Sequence, residues 1–215
     1  MSEDLLKSIR EAFDERAANY DESAMHQALA ASVADFLDLT GVQTVLDVGT
    51  GTGLLLRFLD RRSPGLDLIG ADLSPGMLAV ASEKLTNATW IEADATSLPL
   101  PDASIDLITC VTALHMIPDM AATIREWRRL LRQEGCLVTA TFLRDRGRPG
   151  PGSPPPYPVD HERFDSVESL AATVAPFGFG LSRHEEWRHR EEAVLIAELT
   201  PRAPLEAQAA RQRPS

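Results

Sequence analysis

An acid and three glycines at alternate positions, Asp47-x-Gly49-x-Gly51-x-Gly53, follow directly on a short apolar run that begins at Val45. The pattern reads as a buried strand turning sharply into a helix, because glycine tolerates positive φ and lets backbone approach a ligand closely. In an open α/β sheet such a turn lies outside the carboxyl ends of the strands, where small molecules bind. The spacing excludes two common ligands. A dinucleotide site needs G-x-G-x-x-G, and the third position falls on Leu54 counted from Gly49, or on Leu56 counted from Gly51. A phosphate-cradling loop ends in Gly-Lys-Ser/Thr, whereas Gly53 is followed by Leu54.

Two more acids close the next strand-like runs. Asp72, in Gly70-Ala-Asp72-Leu-Ser-Pro-Gly-Met77, can accept hydrogen bonds from both hydroxyls of a ribose. Asp94, in Glu92-Ala-Asp94-Ala95, can accept one from an adenine amino group. His115 falls just beyond the fourth strand, and histidine is the residue type most often used for proton transfer, which makes it the candidate general base, with a structural role as the alternative. Tyr157 and His161 follow a proline-rich loop and could reach a substrate from above the site. Arg144 and Arg146 leave the fifth strand and could grip a carboxylate or phosphate, or form a solvated basic turn. No Cys/His set has metal-ligand spacing, so no metal is expected.

The elements that must position these residues alternate. Residues 3–39 read as two helices broken near Asn19-Tyr20-Asp21, with Leu5, Leu6, Ile9 and Phe13 at helical spacing. Strands are expected at 44–48, 66–71, 89–93, 106–112 and 136–142. Helices fall between them at 54–61, after Ser74-Pro75 and at 120–132, the last stopped by Gly135. Strands alternating with helices predict a parallel sheet with right-handed crossovers. A Pro/Gly-rich loop at 147–158, a helix at 166–175 and an antiparallel hairpin at 180–189 and 193–200 complete the domain. The tail from Pro201 is expected to be disordered. The whole is expected to be one domain over residues 1–200, with 1–40 as a helical lid.

The bulk properties narrow the function. The 215 residues suit one domain with a sizeable core, and 44% hydrophobic with 25% charged residues is ordinary for a soluble globular chain. A net charge of −11, from 32 acids against 21 Lys and Arg, opposes non-specific nucleic-acid contact. No apolar run is long enough to span a membrane and the N-terminus is too acidic for a signal peptide, so a cytoplasmic location is expected. Cys110 and Cys136 both fall in apolar runs and read as free thiols rather than a disulfide.

The glycine turn resembles motif I of the class I S-adenosylmethionine-dependent methyltransferases. The segment 93–106 resembles the stretch that carries this family's adenine aspartate, and Ala113-Leu-His-Met-Ile-Pro-Asp119 follows it as in the family. Leu130-Leu-Arg-Gln-Glu-Gly135 resembles its motif III turn, with Gln133-Glu134 in place of the usual Pro. The likeness spans about residues 13–200 and is nearest to the small ubiquinone/menaquinone-biosynthesis-like group.

This resemblance implies a Rossmann-like, mostly parallel seven-stranded sheet with an antiparallel C-terminal hairpin, and S-adenosyl-L-methionine as cofactor with S-adenosyl-L-homocysteine as product. It implies that Gly49, Thr50, Gly51 and Gly53 approach the methionine part and that Asp47 holds the turn or meets the cofactor ammonium. Asp72 would bind the ribose, while Leu73, Met77, Asp94 and Ala95 would surround the adenine. Cys110 would offer a backbone carbonyl, and Tyr20 would face the cofactor from the lid. Met77 reads equally as core, Tyr20 equally as lid packing, and Cys110 as a plain buried strand residue. The function implied is methyl transfer to O, N or C of a small-molecule acceptor by in-line displacement, in a monomer or homodimer. The alternatives are a cofactor-binding protein without methylation and an enzyme acting on protein or RNA.

Overall fold

The computed structural model describes residues 3–143 and 155–202. Among these residues seven strands form one sheet in the order β3-β2-β1-β4-β5-β7-β6. The strands are β1 (Thr44–Val48), β2 (Asp67–Asp72), β3 (Thr89–Glu92), β4 (Ile105–Val111), β5 (Leu131–Phe142), β6 (Phe179–His189) and β7 (Glu192–Pro201). The first five pair in parallel, and β7 lies antiparallel between β5 and β6. The order reverses between β1 and β4, so the crevice at their carboxyl ends is the switch point where this architecture binds ligands.

Helices α1 (Glu3–Asp14) and α2 (Ala24–Phe36), with a 3-10 turn Ala17–Glu22 between them, precede the sheet. Helices α3 (Leu54–Arg62), α4 (Pro75–Lys84), α5 (Met120–Leu130) and α6 (Val167–Val174) complete the layers. Alternation along each strand feeds two cores. Val45 and Leu107 pack with Leu29, Val33, Leu56 and Leu59 from α2 and α3. Leu46 and Ile108 pack on the other face with Ile124 and Trp127 of α5 and Leu170 of α6. Trp127 is fully buried, and truncating such a side chain costs about 3–5 kcal/mol.

Two expectations about boundaries are corrected. Helix α5 ends at Leu130, where Leu131 is already extended, and Gly135 lies inside β5 instead of stopping a helix. A Cβ on Gly135 would stand 2.8 Å from the Asp106 carbonyl oxygen, so close strand approach explains the glycine. Pro201 pairs with Phe179 as the last residue of β7, while residues 203–215 lie outside the described part. Both cysteines are free, Cys110 buried and Cys136 half-buried. Among the described residues no helix is long and apolar enough to cross a membrane.

Candidate active site

Strand β1 ends in the glycine turn because β2 captures it. The N–H groups of Gly49 and Thr50 both donate to the carbonyl of Ala71, at 2.8 and 3.1 Å. Gly49, Gly51 and Gly53 all have positive φ, between 55° and 71°, but they do different work. A Cβ on Gly53 would lie 2.6 Å from the Trp90 ring, so this glycine lets α3 pack against β3. Around Gly51 the nearest atoms, Met77 Sδ and Tyr20 Cε1, are 3.9 Å from that position, and its bare face opens into a cavity.

That cavity holds about 720 Å³ and lies at the carboxyl ends of β1, β2 and β4. Asp72 lines it, with Oδ2 accepting the Gly51 N–H at 2.8 Å and Oδ1 the Ser74 N–H at 2.9 Å. Burial raises the Asp72 carboxyl above its usual range, against the lowering pull of these backbone donors. Each carboxylate oxygen keeps a second lone pair for a ligand hydroxyl. Leu73, Asp94 and Ala95 line the next stretch, and Asp94 Oδ1 is fixed by the Thr96 N–H at 2.9 Å. Leu6, Ile9 and Phe13 of α1 form the apolar roof.

A second cavity of about 410 Å³ continues round the turn. It shares Tyr20, Gly49, Gly51, Val111 and Thr112 with the first and adds Asp47, Thr50 and His26. Asp47 is buried and accepts the Thr109 hydroxyl at 2.6 Å. Burial raises its pKa to about 6, with hydrogen bonds to Thr109 and Thr50 opposing the rise. None of the ion pairs among the described residues involves Asp47 or Asp72. A buried carboxylate of this kind suits a cationic ligand group. Thr112 hydrogen-bonds Tyr20 and holds φ 55°, a strained setting for a β-branched residue.

The N-terminal lid is fastened by two carboxylates either side of Tyr20. Asp14 Oδ1 accepts from the Ser74 hydroxyl at 2.5 Å and the Gly76 N–H at 2.9 Å, joining α1 to the start of α4. Asp21 pairs with Arg57 at 2.5 Å and Lys84 at 2.6 Å and accepts the Thr52 hydroxyl of the glycine turn. Burial pushes the Asp21 carboxyl up, but Lys84, Thr52 and Arg57 outweigh it and hold the group below its usual range. Tyr20 stacks on His26 with centroids 4.6 Å apart, and burial raises its hydroxyl pKa to about 12.

His115 is buried and faces a third cavity of about 580 Å³, which shares Met116, Ile117 and Pro118 with the first. Its ring stacks on His161 at 4.4 Å, and its carbonyl accepts the Asp160 N–H at 2.8 Å. Met120, Pro158, Val159 and Phe164 supply apolar walls, and Arg163 is paired with Asp160 at 2.8 Å.

The expected residues therefore divide. Tyr20, Gly49, Gly51, Asp72, Leu73, Asp94 and Ala95 meet at the first cavity, while Asp47 and Thr50 line the second. Gly53 and Met77 lie behind the turn, where Met77 is fully buried and packs as core. Cys110 is also fully buried within β4, and Val111, Thr112 and Ala113, at and just beyond the end of that strand, line the first cavity. Tyr157 stacks on Phe13 and takes a hydrogen bond from Arg16, so it braces the lid, while His161 joins His115. Arg144 and Arg146 lie outside the described residues. Sequence reasoning missed Asp14, Asp21 and His26. Their only signal was position in the lid, since a latch between distant residues leaves no local pattern.

S-adenosylmethionine fits these residues. Gly51 offers uncovered backbone, Asp72 and Asp94 stand at successive strand ends, and Asp47 lines the adjoining side cavity. Among the described residues no group of His, Cys, Asp or Glu is placed to hold a metal. Residues 46–139 match the family of methyltransferase domains. The chain is 34% identical over 137 residues to the demethylmenaquinone methyltransferase of Thermotoga maritima, covering 61% of this chain and 60% of that one. It is 36% identical over 138 residues to the malonyl-[acyl-carrier protein] O-methyltransferase of Hahella chejuensis, covering 63% and 50%. Its matched segment thus spans less than two thirds of either relative. The fold is that of the DhpI complex with S-adenosylhomocysteine, at TM-score 0.70 and 21% identity over 94% of this chain and 99% of that one.

Proposed function

We propose that this chain is a class I S-adenosylmethionine-dependent methyltransferase that methylates an uncharged, largely apolar small molecule. The observation that carries the donor half is the joint placement of Gly51 and Asp72 at the switch-point cavity, one hydrogen bond apart. When bound, S-adenosylmethionine supplies an electrophilic methyl group on a sulfonium centre.

The protein's part is positioning and exclusion of water. Asp72 holds the ribose, Asp94 the adenine edge and Asp47 the ammonium, while the latched lid covers the roof. Holding two reactants in attack geometry can supply effective molarities of about 10⁵–10⁸ M, so a strong base is not compulsory. His115, oriented by its stack on His161, is the group suited to hold or take a proton from an acceptor in the third cavity. A positioned imidazole adds about 10²–10⁴-fold.

The acceptor class follows from the third cavity's walls. Among the described lining residues they are mainly apolar, and the one arginine there, Arg163, is paired with Asp160. Of the chemistries named by the two relatives, a quinone-like acceptor suits this lining better than a malonyl carboxylate.

Calorimetry with S-adenosylhomocysteine tests the donor site: wild type should bind and Asp72→Ala should not. Turnover of apolar phenols and quinols against carboxylic acids tests the acceptor. Methylation of the acids alone, or a raised Michaelis constant for the apolar acceptor after joint substitution of Arg144 and Arg146, would refute the apolar assignment. A His115→Asn enzyme with unchanged kcat would remove the base.

A further inference from the structure

Tyr157 stands between the roof of the first cavity and a wall of the third. Among the described residues from Pro155 to Arg163 it is the one buried side chain, so it anchors an otherwise surface-running segment. Its anchorage is the lid. The ring stacks on Phe13 of α1 with centroids 6.2 Å apart and planes 26° apart. Arg16 Nη2 donates to the Tyr157 hydroxyl at 3.2 Å, while the Arg16 guanidinium carbon lies 4.2 Å from the Phe13 centroid. A planar guanidinium can stack and donate at once, so Arg16 ties the two rings together. Its Nε is itself held by the Ala12 carbonyl at 2.9 Å.

Each end of this cluster meets a different cavity. Phe13, with Leu6 and Ile9, faces the first cavity. The residues directly after Tyr157, namely Pro158, Val159 and Asp160, line the third, as do Arg163 and Phe164. The same segment holds His115, through the Asp160 N–H on its carbonyl at 2.8 Å and the His161 ring stacked on its imidazole.

We propose that Tyr157 is a positioning residue that makes the shape of the acceptor cavity depend on the donor. A ligand packed beneath Leu6, Ile9 and Phe13 steadies α1, and the Phe13–Arg16–Tyr157 cluster passes that restraint to residues 158–164 around His115. By linkage, an acceptor held by those residues tightens the donor by the same factor. The proposal rests on the reading that S-adenosylmethionine fills the first cavity.

Hydrogen exchange read by mass spectrometry, with S-adenosylhomocysteine as the probe, tests it without knowledge of the acceptor. In the wild type the ligand should slow exchange about tenfold both in α1 and at the amides of 159–164, which include the hydrogen-bonded Asp160 and Phe164. Arg16 is exposed, so Arg16→Ala should fold normally. It should keep the ligand's protection of α1 and lose most of that at 159–164, and Tyr157→Leu should do the same. A merely structural role would speed exchange equally with and without ligand and leave the ratio unchanged. An unchanged ratio in Arg16→Ala, or wild-type protection confined to α1, overturns the coupling. A wild-type chain that shows no S-adenosylhomocysteine binding by calorimetry overturns the donor site beneath it.

Discussion

The backbone N–H of Gly51 donates to Oδ2 of Asp72 at 2.8 Å, which makes the glycine turn and the second acid one unit. The other oxygen is held by Ser74. An amide at this position would turn an NH2 group toward one of those two donors. Asp72→Asn is therefore expected to fail almost as fully as Asp72→Ala, with S-adenosylhomocysteine binding about 100-fold weaker in calorimetry. Near-wild-type affinity in the Asn variant would show that the carboxylate's charge and acceptor pattern are not used.

Asp47 predicts a pH dependence. Its folded pKa of about 6 lies above the usual 3.8, so the carboxyl becomes neutral in the folded protein as pH falls through 6. Affinity for an ammonium-bearing ligand should then decline below pH 6, and Asp47→Asn should flatten the profile. Without ligand the sign is opposite. A raised folded pKa means the folded state binds the extra proton, so this group's contribution to stability is lost as pH rises from the usual value through 6. Titrations of S-adenosylhomocysteine and thermal melts across that window check both halves.

Gly51 and Gly53 look alike in sequence and should respond differently to alanine. Gly53→Ala meets both a left-handed φ and the Trp90 ring, a combined cost of about 2–4 kcal/mol. Its melting temperature should fall, and Trp90→Leu should recover the steric share. Gly51→Ala shares the left-handed φ but has open space around it, so it should lose less stability than Gly53→Ala and show its further loss in ligand affinity. Equal melting losses in the two variants would contradict this division.

The lid latch predicts a kinetic effect. Asp21→Ala removes the contacts to Thr52, Arg57 and Lys84 together. The dissociation rate of S-adenosylhomocysteine should rise about tenfold in stopped flow, with a smaller change in association, as is common for substitutions within one binding site. Added salt should narrow the difference between wild type and variant, because screening weakens the same pairs.

The strand ends were legible in the sequence because they depend on local pattern. An apolar run, an acid and a glycine turn identify a ligand-facing β1 whatever surrounds it, and Asp72 and Asp94 repeat the arrangement. The lid was legible only as helices. Leu6, Ile9 and Phe13 show an apolar face by their spacing, but spacing cannot tell a face that packs on core from one that roofs a cavity. Asp14 and Asp21 act on partners 60 and 63 residues away, at Ser74 and Lys84, and such contacts exist only after folding. Gly135 misled for a related reason: a glycine needed for close strand approach looks the same as one that ends a helix.

The placement of β7 has a consequence for how the chain acquires its shape. Strand β7 fills the gap between β5 and β6, pairing Leu137 with Leu199 on one side and Trp187 with Val194 on the other. Among the described residues the strand that comes latest in the sequence is thus an interior one. Until residues 192–201 emerge, β5 presents an unpaired edge rich in apolar side chains, a template for wrong partners. Completion of the sheet waits for residues 192–201, and a nascent chain stopped before Glu192 should recruit chaperones more strongly than one extended past Pro201.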